Sequence, residues 1–269
     1  MKRLLLTTSI LFLALFTTSA QVRIVGHRGV RHNIDNPDTR NFENTISALD
    51  YCQGLGIYAA EFDIQLTKDG RIIVFHGPKM PNNATALPEG VAPDVHEMTF
   101  RQARRVVLPN GEHMPTLREW LAQGRRHPET RLICEIKKQS TPERETRAVE
   151  LVLAAVRKAR MQDQMEYTTF SPWMVQEIHR IDPSAKVLFL DSGKNPKTPQ
   201  EAKEFGSDAI SYDVKAFREH PEYVAQAHAL GMEVTLWIVN DRENFDWGRS
   251  LGVDFISSDH PETLKQFNR

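Results

Sequence analysis

Short runs rich in strand-forming apolar residues lie at 22–27, 58–64, 71–76, 131–137, 165–170, 186–190, 208–212, 234–239 and 254–257. Each predicts a strand, with successive side chains facing opposite ways. Between them fall segments of helical period, of which the clearest places Val149, Val152, Leu153 and Val156 on one stripe that can lie on a sheet. Helix starts are announced by Asn44 before TISALDYC, by the capping box Thr116-Leu117-Arg118-Glu119, and by Thr141-Pro142, Ser171-Pro172 and Thr198-Pro199.

Strands that alternate with helices argue for a parallel sheet. Their number at this length favours an α/β TIM (β/α)8 barrel over an open doubly wound sheet. Nine strands are one too many, and the surplus sits at EFDIQLTKDGRIIVFHG, residues 61–77. TKDG is too short for a parallel crossover, which needs about a dozen residues, so 58–64 and 71–76 are expected to form an antiparallel hairpin. A two-residue turn at Lys68-Asp69 or Asp69-Gly70 sets His76 opposite Glu61 or Asp63 respectively, with all three on one face; a three-residue turn breaks that parity. Residues 77–115, rich in Pro, Gly and Asn, interrupt the alternation and predict an insertion at the barrel top, either a lid or binding loop or a poorly ordered insert.

Lys2 and Arg3 precede the apolar run LLLTTSILFLALF and a small-residue exit at Thr18-Ser19-Ala20, the pattern of a secretory signal peptide over residues 1–20. The run is shorter than the roughly 18 residues of a membrane span, so the expectation is an exported protein, periplasmic or secreted, whose residues 21–269 form a single barrel domain without a stable membrane anchor. Lys and Arg number 34 against 35 Asp and Glu. That balance gives no basic field for nucleic acid and no polybasic membrane patch, so recognition has to be local. The oligomeric state is not legible. Cys52 and Cys134 are expected as buried small apolar residues, the first on a helix and the second on the outward face of a strand, rather than as a bridge.

Active sites of such barrels collect at the C-terminal ends of the strands. The first strand leaves through GHRG, with His27 at the exit, Arg28 beside it, and glycines on both sides that would let a ligand approach. In RLICEIKK, Glu135 and Lys137 share a face and point into the barrel top, as an ion pair or as a site. Glu61, Asp63 and Glu135 then meet as an all-oxygen set without cysteine, which suits one divalent cation, Mg2+ or Ca2+, better than zinc. Three unpaired buried carboxylates would repel one another. His27 and His76 are left to move protons, and Arg28 and Lys137 to clamp phosphate oxygens. Together these are the parts needed to cleave a phosphodiester.

GHRG, FENTISAL at 42–49, EFDIQLTKDGRIIVFH at 61–76, MPTLREWL, CEIKK, GMEVTLWIVND and GVDFISSDHP occur in an order and spacing that resemble the glycerophosphodiester phosphodiesterases over nearly the whole mature chain. The resemblance implies a barrel and metal-dependent hydrolysis of small-molecule glycerophosphodiesters to glycerol 3-phosphate and an alcohol. It implies His27 and His76 as acid/base residues and Glu61, Asp63 and Glu135 as metal ligands. Arg28 and Lys137 would hold phosphate, and Trp237 would form an aromatic wall for glycerol. Glu43 would orient the His27–Arg28 pair or meet the ligand, or would simply be an acid favoured at a helix start.

Two departures from the family pattern bear on the alcohol rather than the reaction: Gly77 stands where an acid usually follows the second histidine, and VRHNIDNPDTRN is longer than the usual loop, with His32 in it. Three rival readings use the same residues. A phospholipase- or sphingomyelinase-D-like relative would cleave lipid head groups, a barrel glycosidase would use Glu61 and Glu135 across a cleft, and a binding protein would keep the pocket without the chemistry.

Overall fold

The computed structural model describes residues 21–31, 42–80, 87 and 89–269. The expected signal peptide and His32 lie outside them. Among the described residues nine strands form one sheet: β1 (Arg23–Gly26), β2 (Ala59–Leu66), β3 (Ile72–Val74), β4 (Arg131–Ile136), β5 (Met165–Thr169), β6 (Val187–Asp191), β7 (Ala209–Asp213), β8 (Glu233–Trp237) and β9 (Phe255–Ser258). Their order is β1-β9-β8-β7-β6-β5-β4-β2-β3, and β1 also pairs with β2, which closes eight parallel strands into the expected barrel.

The ninth strand is the antiparallel partner, as TKDG required. β2 is long enough to serve twice: Ala59 and Ala60 close the barrel on β1, while Ile64–Leu66 pair with β3. The hairpin register differs from both expected forms. Ile64 faces Val74 and Leu66 faces Ile72, and beyond them Thr67 N donates to Arg71 O at 2.9 Å, leaving three residues, Lys68 to Gly70, in the turn. Gly70, at φ +70°, supplies the left-handed residue that such a turn needs. That register would set His76 opposite Phe62 and away from the acids, but β3 stops at Val74 and the chain bends at His76.

Outward-facing residues of the strands, Phe62, Ile64, Cys134 and Ile136, pack with Val149, Val152, Leu153 and Val156 of the helix Pro142–Ala159 in the main core, where Phe62 stacks on Trp120 at 4.7 Å. Cys52 and Cys134 are buried free thiols. Inside the barrel, Val25, Ala59, Ile133 and Phe255 form a small apolar layer. Beneath it Glu166, 1 % exposed, receives Tyr58 Oη at 2.5 Å and Arg131 Nε at 2.6 Å, and Glu233 meets Lys186 and Arg23 at 2.5 Å each. These charges plug the N-terminal end of the barrel, so the cavity opens at the other end, where the strands exit.

Thr116, Thr141, Ser171 and Thr198 cap their helices as expected. The helix Ile46–Gly54 is capped by Thr45 and not by Asn44, because the Thr45 hydroxyl accepts from Ala48 N while the Asn44 side chain is engaged elsewhere. The insertion 77–115 is no loose insert in its described part. Met80, Val95, Met98, Ala103, Val106, Leu108 and Met114 bury themselves against Phe42, Ile73 and Phe75, on the face of β3 turned from the main core.

Candidate active site

The site begins where β1 ends. A side chain on Gly26 would place its Cβ 2.2 Å from Gly29 O and 2.6 Å from Cys52 Sγ, and one on Gly29 would strike Ala48 of the helix Ile46–Gly54. The glycines of GHRG therefore admit that helix and the returning chain, not a ligand as the sequence suggested. Between them Arg28 adopts φ +55°, and Asn44, whose N donates to Arg28 O at 3.0 Å, adopts φ +58°. Two non-glycine residues in the left-handed region, side by side, are strain held at one place by the surrounding contacts.

That backbone delivers the side chains. Arg28 N donates to Glu61 Oε2 at 2.7 Å, and Arg28 Nη1 reaches both Glu43 oxygens at 3.1 and 2.9 Å. Glu43 thus orients Arg28 and is more than a helix-start acid. Asn44 grips Asp63 from two sides, donating to Oδ2 at 2.7 Å and accepting from Asp63 N at 2.9 Å. Asp63 and Glu135 are register neighbours on β2 and β4, with Glu61 one step below Asp63 on the same face.

One ligand oxygen from each of Glu61, Asp63 and Glu135 lies within 4.8 Å of the others, and all three residues are buried. Lys137 Nζ sits against two of them, 2.8 Å from Asp63 Oδ1 and 2.7 Å from Glu135 Oε1. The charges are unevenly shared. Burial would raise Asp63, but Lys137 and Arg28 hold it well below the usual carboxylate range. Burial, with Asp63 adding to it, pushes Glu135 up to about 7, and burial with both neighbouring acids pushes Glu61 well above its ordinary value. Glu61 Oε1 is buried without a hydrogen-bond partner. An all-oxygen trio with one orphaned oxygen, in which two carboxyls are held from ionising by burial and by their acidic neighbours, fits a hard divalent cation, which would favour the ionised form of both.

His27 and His76 line the same cavity as Arg28, Glu61, Glu135 and Lys137. His27 Nδ1 meets Asp259 Oδ1 at 2.7 Å; Asp259 Oδ2 in turn accepts from Asn240 Nδ2 at 2.9 Å. Burial lowers the His27 pKa against the pull of Asp259, so the ring is neutral near pH 7 and donates from Nδ1, leaving the Nε2 lone pair free. Burial pushes His76 down to about 3, with Asp63 opposing. Apolar lining of the same cavity comes from Ile133, the register partner of Glu61, and from Phe170, Leu188, Leu190 and Trp237; Trp237 donates to Ser211 O at 2.8 Å and meets Phe170 edge-on.

All nine expected site residues gather here. Seven line the cavity, while Asp63 and Glu43 stand directly behind it. Glu61 and Glu135 lie diagonally on adjacent strands with ligand oxygens within 4.8 Å of each other, not across a cleft as a glycosidase pair would. Asp259, Asn240 and Asn44 were missed. Asp259 follows β9 directly and Asn240 closely follows β8, so a full census of polar residues at strand exits would have found both. Asn44 carries no such signal, because an Asn directly before a helical run has the pattern of a cap.

The profile of the "Glycerophosphoryl diester phosphodiesterase family" matches residues 27–263. The chain is 26 % identical over 271 residues to the "Probable glycerophosphodiester phosphodiesterase 1" of Mycobacterium tuberculosis, covering 90 % of each chain. It is 24 % identical over 249 residues to the glycerophosphodiester phosphodiesterase of Caldanaerobacter subterraneus, covering 90 % of this chain and 95 % of that one. Among solved structures, a glycerophosphodiester phosphodiesterase from Parabacteroides distasonis superposes with a TM-score of 0.81 at 28 % identity, covering 92 % of this chain and 97 % of the other. A barrel whose mouth gathers three acids, two histidines and two cations, matched by this profile along almost its whole length, belongs to the glycerophosphoryl diester phosphodiesterase family of phosphoric diester hydrolases.

Proposed function

We propose that this chain is an exported, metal-dependent enzyme that hydrolyses small-molecule glycerophosphodiesters to glycerol 3-phosphate and an alcohol, with His27 and His76 as its acid/base pair. The observation that carries this reading is the approach of ligand oxygens of Glu61, Asp63 and Glu135 to within 4.8 Å of one another at the cavity that both imidazoles line. Export rests on the charged, apolar and small-residue segments of residues 1–20. Among the described residues no helix is long and apolar enough to cross a membrane.

Glu61, Asp63 and Glu135 would hold one Mg2+ or Ca2+, which when bound polarises the phosphoryl group. The chain's own residues do the rest. Arg28, braced by Glu43, and Lys137 present positive charge to the phosphate oxygens. His27, with Nδ1 committed to Asp259, offers Nε2 to take the proton of the attacking oxygen, and His76, which would take up a proton from solvent once an anionic phosphate faces it, gives that proton to the departing alkoxide. Water and the 2-hydroxyl of glycerol would need the same two proton transfers. A cyclic phosphate trapped during turnover would identify the second route, and glycerol 3-phosphate released in step with the alcohol, with no cyclic phosphate formed, the first. Trp237 and Phe170 form the apolar side against which the glycerol carbons would lie.

The test is a panel of glycerophospho-alcohols assayed with chelator, then with each divalent ion restored. The expected result is glycerol 3-phosphate from several substrates, abolished by chelation. No turnover of any substrate with metal present would overturn the reading in favour of lipid cleavage or binding alone. His76→Ala separates the last of these, since an enzyme loses turnover far more than affinity.

A further inference from the structure

Unlike Glu61, Asp63 and Glu135, which strands carry, His76 lies two residues past the end of its strand. β3 ends at Val74, Phe75 N donates to Asp63 O at 3.0 Å, and the chain then bends away from the barrel. What holds the bend is a single buried amide. Gln65, 2 % exposed and on the same face of β2 as Glu61 and Asp63, donates from Nε2 to His76 O at 2.9 Å and to Gly77 O as well. Its Oε1 accepts from Nε2 of His96, at 2.9 Å. The two carbonyls fix which end of the amide faces them. His96 must therefore present a protonated Nε2, because the oxygen it faces can only accept.

His96 belongs to the insertion, and the insertion is anchored around it. Val95 N donates to Pro78 O at 2.9 Å and Met80 N to Pro93 O at 2.8 Å, while Lys68 N in the β2–β3 turn donates to Met98 O at 2.7 Å. His96 N itself is held by Asp94 Oδ1 at 2.8 Å. Gly77 completes the bend: a Cβ there would lie 2.6 Å from the Phe75 ring and 2.7 Å from Lys79 O, so the tight path leaves no room for an acid at this position.

We propose that Gln65 and His96 are positioning residues for His76, and that the insertion serves the reaction by bracing the second histidine through them. The backbone carbonyls of His76 and Gly77 are tied to one side chain, and that side chain is tied to the insertion. Loosening either tie lets the ring drift from the reacting atoms. Drift of about 1 Å at a reacting group costs about a hundredfold in rate.

This inference rests on the reading that His76 moves a proton, and the experiment separates the two. Gln65→Leu, His96→Phe and His96→Gln are compared with the unaltered metal-loaded enzyme by steady-state kinetics on a glycerophosphodiester, by thermal unfolding, and by NMR of ring-labelled histidines. Gln65→Leu and His96→Phe are expected to lower kcat by about ten- to a hundredfold with KM little changed. They should also shift or broaden the His76 ring resonances while leaving those of His27 in place. His96→Gln, which keeps a donor of similar reach, should recover most of the loss. Unchanged kcat and unchanged His76 resonances in both disruptive variants, with or without a lower unfolding temperature, would overturn the proposal. His76→Ala, run alongside, tests the underlying reading. Full turnover without the ring would remove the acid/base role, while the resonance comparison would still decide whether Gln65 holds it.

Discussion

His27 and Asp259, 232 positions apart in the chain, meet at 2.7 Å because β1 and β9 are parallel neighbours that end at the same level, Gly26 beside Ser258. The carboxylate fixes which ring nitrogen carries the proton and turns the other toward the cavity. Asp259→Asn removes that preference, since Asn240 already donates to its second oxygen. We expect kcat to fall by about a hundredfold or more with KM little altered, measured by steady-state kinetics. Unchanged kcat would mean that the tautomer does not matter.

Lys137 occupies ground that a cation would share, with Nζ within 2.8 Å of both Asp63 and Glu135. Lys137→Met should therefore bind Mg2+ or Ca2+ about tenfold more tightly in calorimetric titration, as removal of about 1.4 kcal/mol of charge repulsion would give. The same variant should turn over more slowly, having lost a phosphate-facing charge. Weaker metal binding would show instead that Lys137 organises the acids for the ion.

Addition of the ion itself is a stability measurement. Glu61, Asp63 and Glu135 bind it when folded together and are scattered in the unfolded chain, so metal-loaded protein should unfold later than chelated protein. The gain at a hundredfold excess over Kd is about 2.7 kcal/mol. Glu61→Gln should abolish most of that gain. An unfolding temperature indifferent to divalent ions would argue against the centre.

A pH effect away from the site is expected at His179, whose Nε2 lies 3.3 Å from Asp208 Oδ2. The Asp208 contact raises the His179 pKa above 6.5, with burial opposing. A group raised on folding stabilises fully below its unfolded pKa, and that contribution disappears as pH rises through the folded value. Unfolding temperatures across pH 5 to 8 should thus fall less steeply with rising pH in His179→Asn than in the unaltered protein. Parallel curves would refute the assignment.

Two glycines separate packing from propensity. Gly26→Ala forces a methyl into Gly29 O and Cys52 Sγ, and should cost about 1–3 kcal/mol and activity with it, because His27 is the next residue. Gly54→Ala, at the end of the helix Ile46–Gly54 with nothing within 4 Å of the new Cβ, should stabilise by about 0.5–1 kcal/mol. Chemical denaturation of both variants checks the contrast.

Residues with strand or helix periodicity were legible before folding. Glu61, Asp63 and Glu135 lie on strands, where alternation alone assigns a face, Lys137 directly follows β4, and the structure brings all four together. His76 reaches the acids by a route that strand alternation does not give, since its strand ends early and the hairpin turn holds three residues. Asn44 has the sequence pattern of a cap, because an Asn before a helical run commonly is one. Its side chain is instead committed to Asp63, and Thr45 does the capping.

By itself the sequence determined what repeats locally: eight parallel strands with their helices, a hairpin forced by a four-residue link, and an acid-rich face on two neighbouring strands. Those follow from side-chain periodicity and chain length, which need no knowledge of distant partners. Only the tertiary structure decided that Asp259 holds His27, that Asn44 holds Asp63, and that Gln65 and His96 hold the loop bearing His76. Each of those contacts joins segments whose meeting depends on barrel closure or on the path of an irregular loop, and neither leaves a period in the chain.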